Sequence, residues 1–314
     1  MNEALLLYGL FSLFTLHSFF GPKDPMLQSI SSKTKRALVK EEFPAATADI
    51  TAALATDSLN PTLSYLRGFC RSRMKQWPAA NQDFSRAIRL DSTNGWYYIG
   101  RARTNFARHR LFQARADYAL AFKRTPSCHT DTDVAAQMGV TELFLNNAPQ
   151  AAAELELATV LDLRNDFALF YLTVARTICH KPQAAAASCK EYIKWHAKRP
   201  EGYVNRALLN CSLGNYKQAA ADVNLALELA PTDTLSALAK VVITESGGNS
   251  VGARAQMATL LLTTTNKSGL YLDLGDFYRQ VGKTEAANQH WLVAQQLGNT
   301  EAAERLAAKV HSAP

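Results

Sequence analysis

Cys179 and His180 stand side by side, with His196 further along. A thiol beside an imidazole is the smallest set that could perform nucleophilic catalysis. That chemistry needs the base held against the thiol and itself oriented by a third group. No such group accompanies these residues, which read as surface and core filler. Val281-Gly282-Lys283-Thr284 imitates the end of a phosphate-binding loop. The earlier glycine of that motif would fall at Phe277, and the stretch sits in a helix–helix turn with no strand before it. The seven histidines, at 17, 109, 129, 180, 196, 290 and 311, show no metal-ligand spacing. The five cysteines, at 70, 128, 179, 189 and 211, are odd in number and irregularly spaced. They fit free thiols in a reducing compartment better than a zinc site or a disulfide framework. No hydrolase elbow, nucleotide fingerprint or kinase set appears. The expectation is a chain that is not an enzyme, uses no cofactor or metal, and holds other molecules instead.

The elements that would do the holding come from a repeat. With units started at Leu27, Pro61, Gly95, Thr132, Asp166, Pro200, Thr234 and Ser268, one 34-residue register covers nearly the whole chain, broken by an insertion within Ser127–Asp131. The twentieth position is Ala46, Ala80, Ala114, Ala151, Ala185, Ala219, Ala253 and Ala287. The eighth is small or compact, as in Gly68, Ala102, Gly139, Ala207 and Gly275. The twenty-fourth is apolar throughout, from Ile50 and Phe84 to Val223 and Trp291. Two antiparallel helices approach closely only where small side chains meet at the crossing. Positions 8 and 20 supply that crossing, and the residue at 24 supplies a knob for the next unit. One hairpin cannot bury its apolar face alone, so the hairpins must stack. Gly214-Asn215, Gly247-Gly248 and Gly282-Lys283 mark ends of first helices, and Pro126 and Pro231 mark ends of second ones.

The unit from Ser268, with Leu274-Gly275, Tyr278, Gly282, Ala287, Trp291 and Ala294, resembles the tetratricopeptide repeat (TPR). So does the unit from Pro200, with Tyr203, Ala207, Gly214, Tyr216, Ala219, Ala226 and Pro231. The resemblance covers about residues 27–311 and departs from the pattern at Tyr192 and Leu260. It implies an all-α fold: a right-handed superhelical α-solenoid of about eight helix–turn–helix units, spanning 27–60, 61–94, 95–128, 132–165, 166–199, 200–233, 234–267 and 268–299. Residues 300–314 add a capping helix and tail, and residues 1–26 a hydrophobic N-terminal helix.

Charge patterning supplies a second expectation. Position 7, usually apolar in this family, is Lys33, Arg67, Arg101, Arg206 and Lys240. Position 23 on the second helix is Asp49, Asp83, Asp117 and Asp222 in four of those five units, and Gln256 in the fifth. A base and an acid recurring together predict an ion pair between the two helices of a unit. The net charge of +7 is lopsided: residues 1–131 carry 18 Lys/Arg against 10 Asp/Glu, and residues 132–314 carry 16 against 17. The cations left over, Arg71, Arg73, Lys75, Arg103, Arg108, Arg110 and Arg115, could form an anion-friendly patch.

By the same resemblance, positions 2, 5, 9 and 12 of each first helix face a concave wall. The candidate groove residues are Trp96, Ile99, Arg103, Phe106, Val140, Leu143, Phe167, Phe170, Val174, Val204, Leu208, Leu238 and Val242. Position 5 carries no Lys, so the family's chaperone-binding carboxylate clamp cannot be assembled. The functional expectation is a protein–protein interaction scaffold that takes a peptide or helix in an apolar groove. The alternative is an RNA- or anionic-lipid-associated module using the basic N-terminal half. The partner is a protein or peptide of unknown identity, and nucleic acid is disfavoured.

Residues 4–21 form an apolar run of membrane-spanning length, preceded by Glu3 with no Lys or Arg and followed by Lys23, Lys33, Lys35, Arg36 and Lys40. The distribution predicts a membrane anchor with a cytoplasmic solenoid. A soluble cytoplasmic protein with this helix folded onto the first unit, and an exported one with it cleaved, stand as alternatives.

Overall fold

A computed structural model describes residues 30–311. The hydrophobic run 4–21, and with it the anchor expectation, lies outside the described residues. Among the described residues the regular elements are seventeen α-helices and one 3₁₀ turn. No helix among them is long and apolar enough to cross a membrane.

The chain divides between Thr141 and Glu142 into two compact units. The first holds α1 (Ser32–Val39), α2 (Phe43–Thr56), α3 (Pro61–Arg73), α4 (Trp77–Leu90), α5 (Gly95–Ala107), α6 (Leu111–Arg124), a 3₁₀ turn (Pro126–Thr130) and most of α7 (Thr132–Phe144). The second holds the end of α7 and then α8 (Ala148–Leu161), α9 (Asp166–Ile178), α10 (Pro182–Trp195), α11 (Pro200–Ser212), α12 (Tyr216–Leu229), α13 (Thr234–Ser246), α14 (Ser250–Thr263), α15 (Lys267–Gln280), α16 (Thr284–Gln296) and α17 (Thr300–His311).

Local chemistry starts and stops these helices. First helices other than α11 open behind a capping side chain: Asn60 accepts from the Leu63 amide at 3.1 Å, Asn165 from Ala168 at 2.8 Å and Asp233 from Ser236 at 2.8 Å. Pro78 and Pro182 sit in the first turns of α4 and α10, where no amide donor is needed. The fifteenth position of every unit has a positive φ. Gly214, Gly248 and Gly282 fill it in three units, and Glu41, Lys75, His109, Asn146 and His180, with φ between 55° and 60°, in the others. The amide after it reaches back to close the helix, as Gln76 does to the Arg71 carbonyl at 2.8 Å and Lys181 to that of Arg176 at 2.9 Å. The expected glycine turns are thus three of eight equivalent turns, five of which use residues that carry a Cβ.

The alanines at position 20 are buried. The knob at position 24 does more than reach the next hairpin. A Cβ added at Gly68, in the same hairpin as Phe84, would meet the Phe84 ring at 3.0 Å. One added at Gly100, in the following hairpin, would meet it at 2.5 Å. The ring is seated between two glycines. Trp291 fills the equivalent place against Gly275.

In the second unit the first helices of successive pairs curve tightly. α15 packs on α13, and also on α11 and α9. Asn205 of α11 donates to the Phe170 carbonyl at 3.1 Å and accepts from Gln280 of α15 at 3.4 Å. α17 packs on α16 and is more than a polar lid. Its Arg305, 1% exposed, lies with its guanidinium 4.0 Å from the centre of the Phe144 ring and pairs with Asp276 at 3.3 Å.

Candidate interaction surface

The predicted wall residues sit at helical spacing on the first helices, and the structure buries most of them. In the first unit Ile99, Arg103, Phe106 and Val140 are buried and Trp96 is half-buried. In the second, Leu143, Phe167, Val174, Val204, Leu208, Leu238 and Val242 are buried and Phe170 is half-buried. Phe170 packs edge-on to Tyr171 and Tyr192, with ring centres 5.0 and 6.0 Å away. Arg103 does not offer its charge to an open groove. Its Nε donates to Gln137 Oε1 at 2.7 Å, and the Tyr118 hydroxyl reaches the same oxygen at 3.1 Å. A buried guanidinium must be hydrogen-bonded in this way to be tolerated.

The position 7 cations meet the position 23 acids. Lys33–Asp49 closes at 2.9 Å, Arg67–Asp83 and Arg101–Asp117 at 2.7 Å, and Arg206–Asp222 at 2.6 Å. The three arginine pairs are two-pronged, with Nε and Nη2 both donating to the carboxylate, the geometry in which the guanidinium fork is strongest. Lys240 and Gln256 form no such bond, and Gln256 Oε1 is buried without a hydrogen-bond partner. Position 11 adds a second donor to each buried acid. Arg71 reaches Asp83 at 2.7 Å, Asn105 reaches Asp117 at 3.1 Å and Asn210 reaches Asp222 at 3.1 Å. Sequence reading missed this position because Arg and Asn do not look like one pattern, although both donate.

Several leftover cations are also engaged inside the chain. Arg71 is bound to Asp83, Arg73 pairs with Glu41 at 3.3 Å and lies over Phe43, and Arg115 lies over Phe112. Burial pushes the thiols of Cys70, Cys128 and Cys189 up to about 12, and raises those of Cys179 and Cys211 as well. These thiols are therefore poorly disposed to thiolate chemistry at neutral pH. Among the described residues no group of three or more His, Cys, Asp or Glu is placed to hold a metal ion.

Stacked hairpins of this kind recur among solved structures. The chain is similar to a tetratricopeptide repeat protein from Parabacteroides merdae, at 14% identity over 79% of this chain and 97% of that one, with a TM-score of 0.61. It is also similar to YrrB, described as a TPR protein with an unusual peptide-binding site, at 16% identity over 61% and 97% of the two chains and a TM-score of 0.55. A third likeness is to pilF of Pseudomonas aeruginosa, at 13% identity over 64% and 90%, also with a TM-score of 0.55. No protein-family model and no curated protein matches the chain. The fold is that of the tetratricopeptide-repeat proteins, an all-α solenoid.

Proposed function

We propose that this chain is a protein-interaction scaffold that receives a peptide or helix of a partner on its first-helix wall. The observation that carries the reading is the chemistry of that wall. Eleven of the thirteen positions named are buried in the chain's own packing, and the two left half-buried, Trp96 in the first unit and Phe170 in the second, are aromatic, the residue type that most often anchors an interface. YrrB, alike in fold, is described as having a peptide-binding site. The tether read from residues 4–21 belongs to the same proposal. Carbonate extraction of the full chain and of a version starting at Pro25 tests it: retention of both, or of neither, refutes the tether.

The test of the wall uses fluorescein-labelled synthetic amphipathic helices of zero net charge and the full-length protein. Anisotropy should report binding that is insensitive to salt and is lost in Phe170→Asp, which reads the wall of the second unit; Trp96→Ser reads that of the first unit separately. Circular dichroism would check that both variants stay folded. Absence of binding by every such helix refutes the wall. RNA or anionic vesicles bound with a steep salt dependence would favour the alternative module, since counterion release dominates such contacts. The engagement of Arg71, Arg73 and Arg103 with the protein's own groups argues against that alternative.

A further inference from the structure

The second unit carries a crevice that the wall does not use. Ala186, Lys190 and Ile193 lie along one face of α10, and Arg206 and Leu209 along one face of α11, with Leu213 just past its end. Together they line a space of about 320 Å³ between the helices. Arg206, Leu209 and Leu213 fall at positions 7, 10 and 14 of their hairpin. Helical spacing of 100° per residue puts them on the side opposite positions 2, 5, 9 and 12. The floor is apolar: Leu209 is buried, Ile193 half-buried, and Leu213 is 49% exposed.

Comparison between hairpins shows why its rim is cationic. In the second and third hairpins, Arg101 gives two nitrogens to Asp117 and the third, Nη1, to Ser85 at 3.2 Å. Ser85 holds position 25 of the preceding hairpin. Arg206 makes the same fork onto Asp222, but position 25 of its preceding hairpin is Lys190. A hydroxyl acceptor has been replaced by a second cation, and both cations line the crevice. The surroundings repeat the sign. Residues 176–217 carry eight Lys/Arg and two Asp/Glu. Arg176, Arg199, Arg206 and Lys194 are paired with Glu156, Asp166, Asp222 and Glu191, which leaves Lys190 as the rim's main uncompensated charge.

We infer that this crevice is a docking site for an acidic peptide segment with one apolar anchor side chain, seated between α10 and α11. The anchor would lie against Leu209, Ile193 and Leu213, and a flanking carboxylate would meet Lys190 and the outer edge of Arg206. The volume, at the lower end of the range for ligand pockets, is enough for one side chain and its neighbours. A desolvated apolar contact ringed by complementary charge is how such sites combine affinity with selection. A polyanion without an anchor would satisfy the rim alone.

The experiment uses the full chain and a short labelled peptide of Asp, Glu and Ala with one central Leu. Binding should weaken about ten-fold, the equivalent of ~1.4 kcal/mol, when the peptide Leu becomes Ser, and by a similar factor in Lys190→Glu and in Leu213→Asp. Lys198→Glu, an equal charge change at an exposed residue outside the crevice, should cost less than about two-fold, as expected of a solvated charge. The inference is overturned if the peptide does not bind, if Lys198→Glu matches Lys190→Glu, or if a single-stranded oligonucleotide competes as well as the peptide regardless of the anchor. Failure here leaves the wall proposal standing, because that one is read with neutral helices and Phe170→Asp.

Discussion

Asn146 and Arg305 are 159 residues apart in sequence, yet the Asn146 side-chain amide donates to the Arg305 carbonyl at 2.9 Å. Arg279 completes the junction, donating to the Leu143 carbonyl at 3.0 Å and to the Asn146 side chain. The C-terminal helix of the second unit therefore returns to where that unit begins. Arg305→Ala should remove the cation over Phe144 and leave the half-buried Asp276 without this partner. Losing one member of a buried pair costs about 3 kcal/mol. Urea unfolding should show a lowered midpoint, and an unchanged midpoint would contradict the geometry.

The ion pair within the third hairpin should behave as a coupled unit. Arg101→Leu alone strands Asp117, which is 5% exposed, and should destabilise by about 2 kcal/mol once partial exposure of the arginine is discounted. Arg101→Leu with Asp117→Leu should recover part of that loss, the remainder reflecting the Asn105 amide, which also donates to Asp117. A thermal-melt double-mutant cycle reads the coupling, and strict additivity would refute the pairing.

His180 has φ of 55° at a turn where three other hairpins use glycine, and its side chain is exposed. A Cβ in the left-handed region costs about 1–2 kcal/mol, while glycine loosens the unfolded chain by somewhat less. His180→Gly should raise stability by about 0.5 kcal/mol, or roughly one to two degrees in Tm. A fall in Tm would show that the imidazole has a role the turn geometry does not reveal.

Glu301 should make stability depend on pH. Burial, with Asp276 and Glu304 adding to it and Arg305 opposing, raises its carboxyl to about 7. The folded state then holds a proton that the unfolded state gives up near pH 4.5, so stability falls as pH rises between those values. The loss is complete above about pH 7 and amounts to no more than ~3 kcal/mol. Glu301→Gln should flatten the slope of unfolding free energy against pH from 5 to 8. A slope unchanged by the substitution would remove Glu301 from the account.

The repeat was legible because close helix crossing leaves room for nothing larger than a methyl. Eight alanines at one position announce eight crossings without any knowledge of the fold. The Arg–Asp pairs were legible for a similar reason, since an inward cation needs a partner and the partner recurred in step. Other features had no local signature. The approach of α15 to α9 depends on small rotations accumulated from hairpin to hairpin, which no single residue encodes. Arg305 belongs to a helix whose pattern looks like a solvated end cap, and its partners Phe144 and Asn146 lie far away in sequence. The basic rim at Lys190 was hidden by averaging, because the acids elsewhere in residues 132–314 cancel it.

The seat of the Phe84 ring limits how freely these hairpins can be exchanged. A ring shared by Gly68 before it and Gly100 after it makes the second hairpin a custom joint rather than an interchangeable module. A graft that brings any side chain to the sixth place of the following hairpin would jam against that ring. Recombination or insertion at this boundary must carry the glycine with it, so the evolutionary block here is a pair of hairpins, not one.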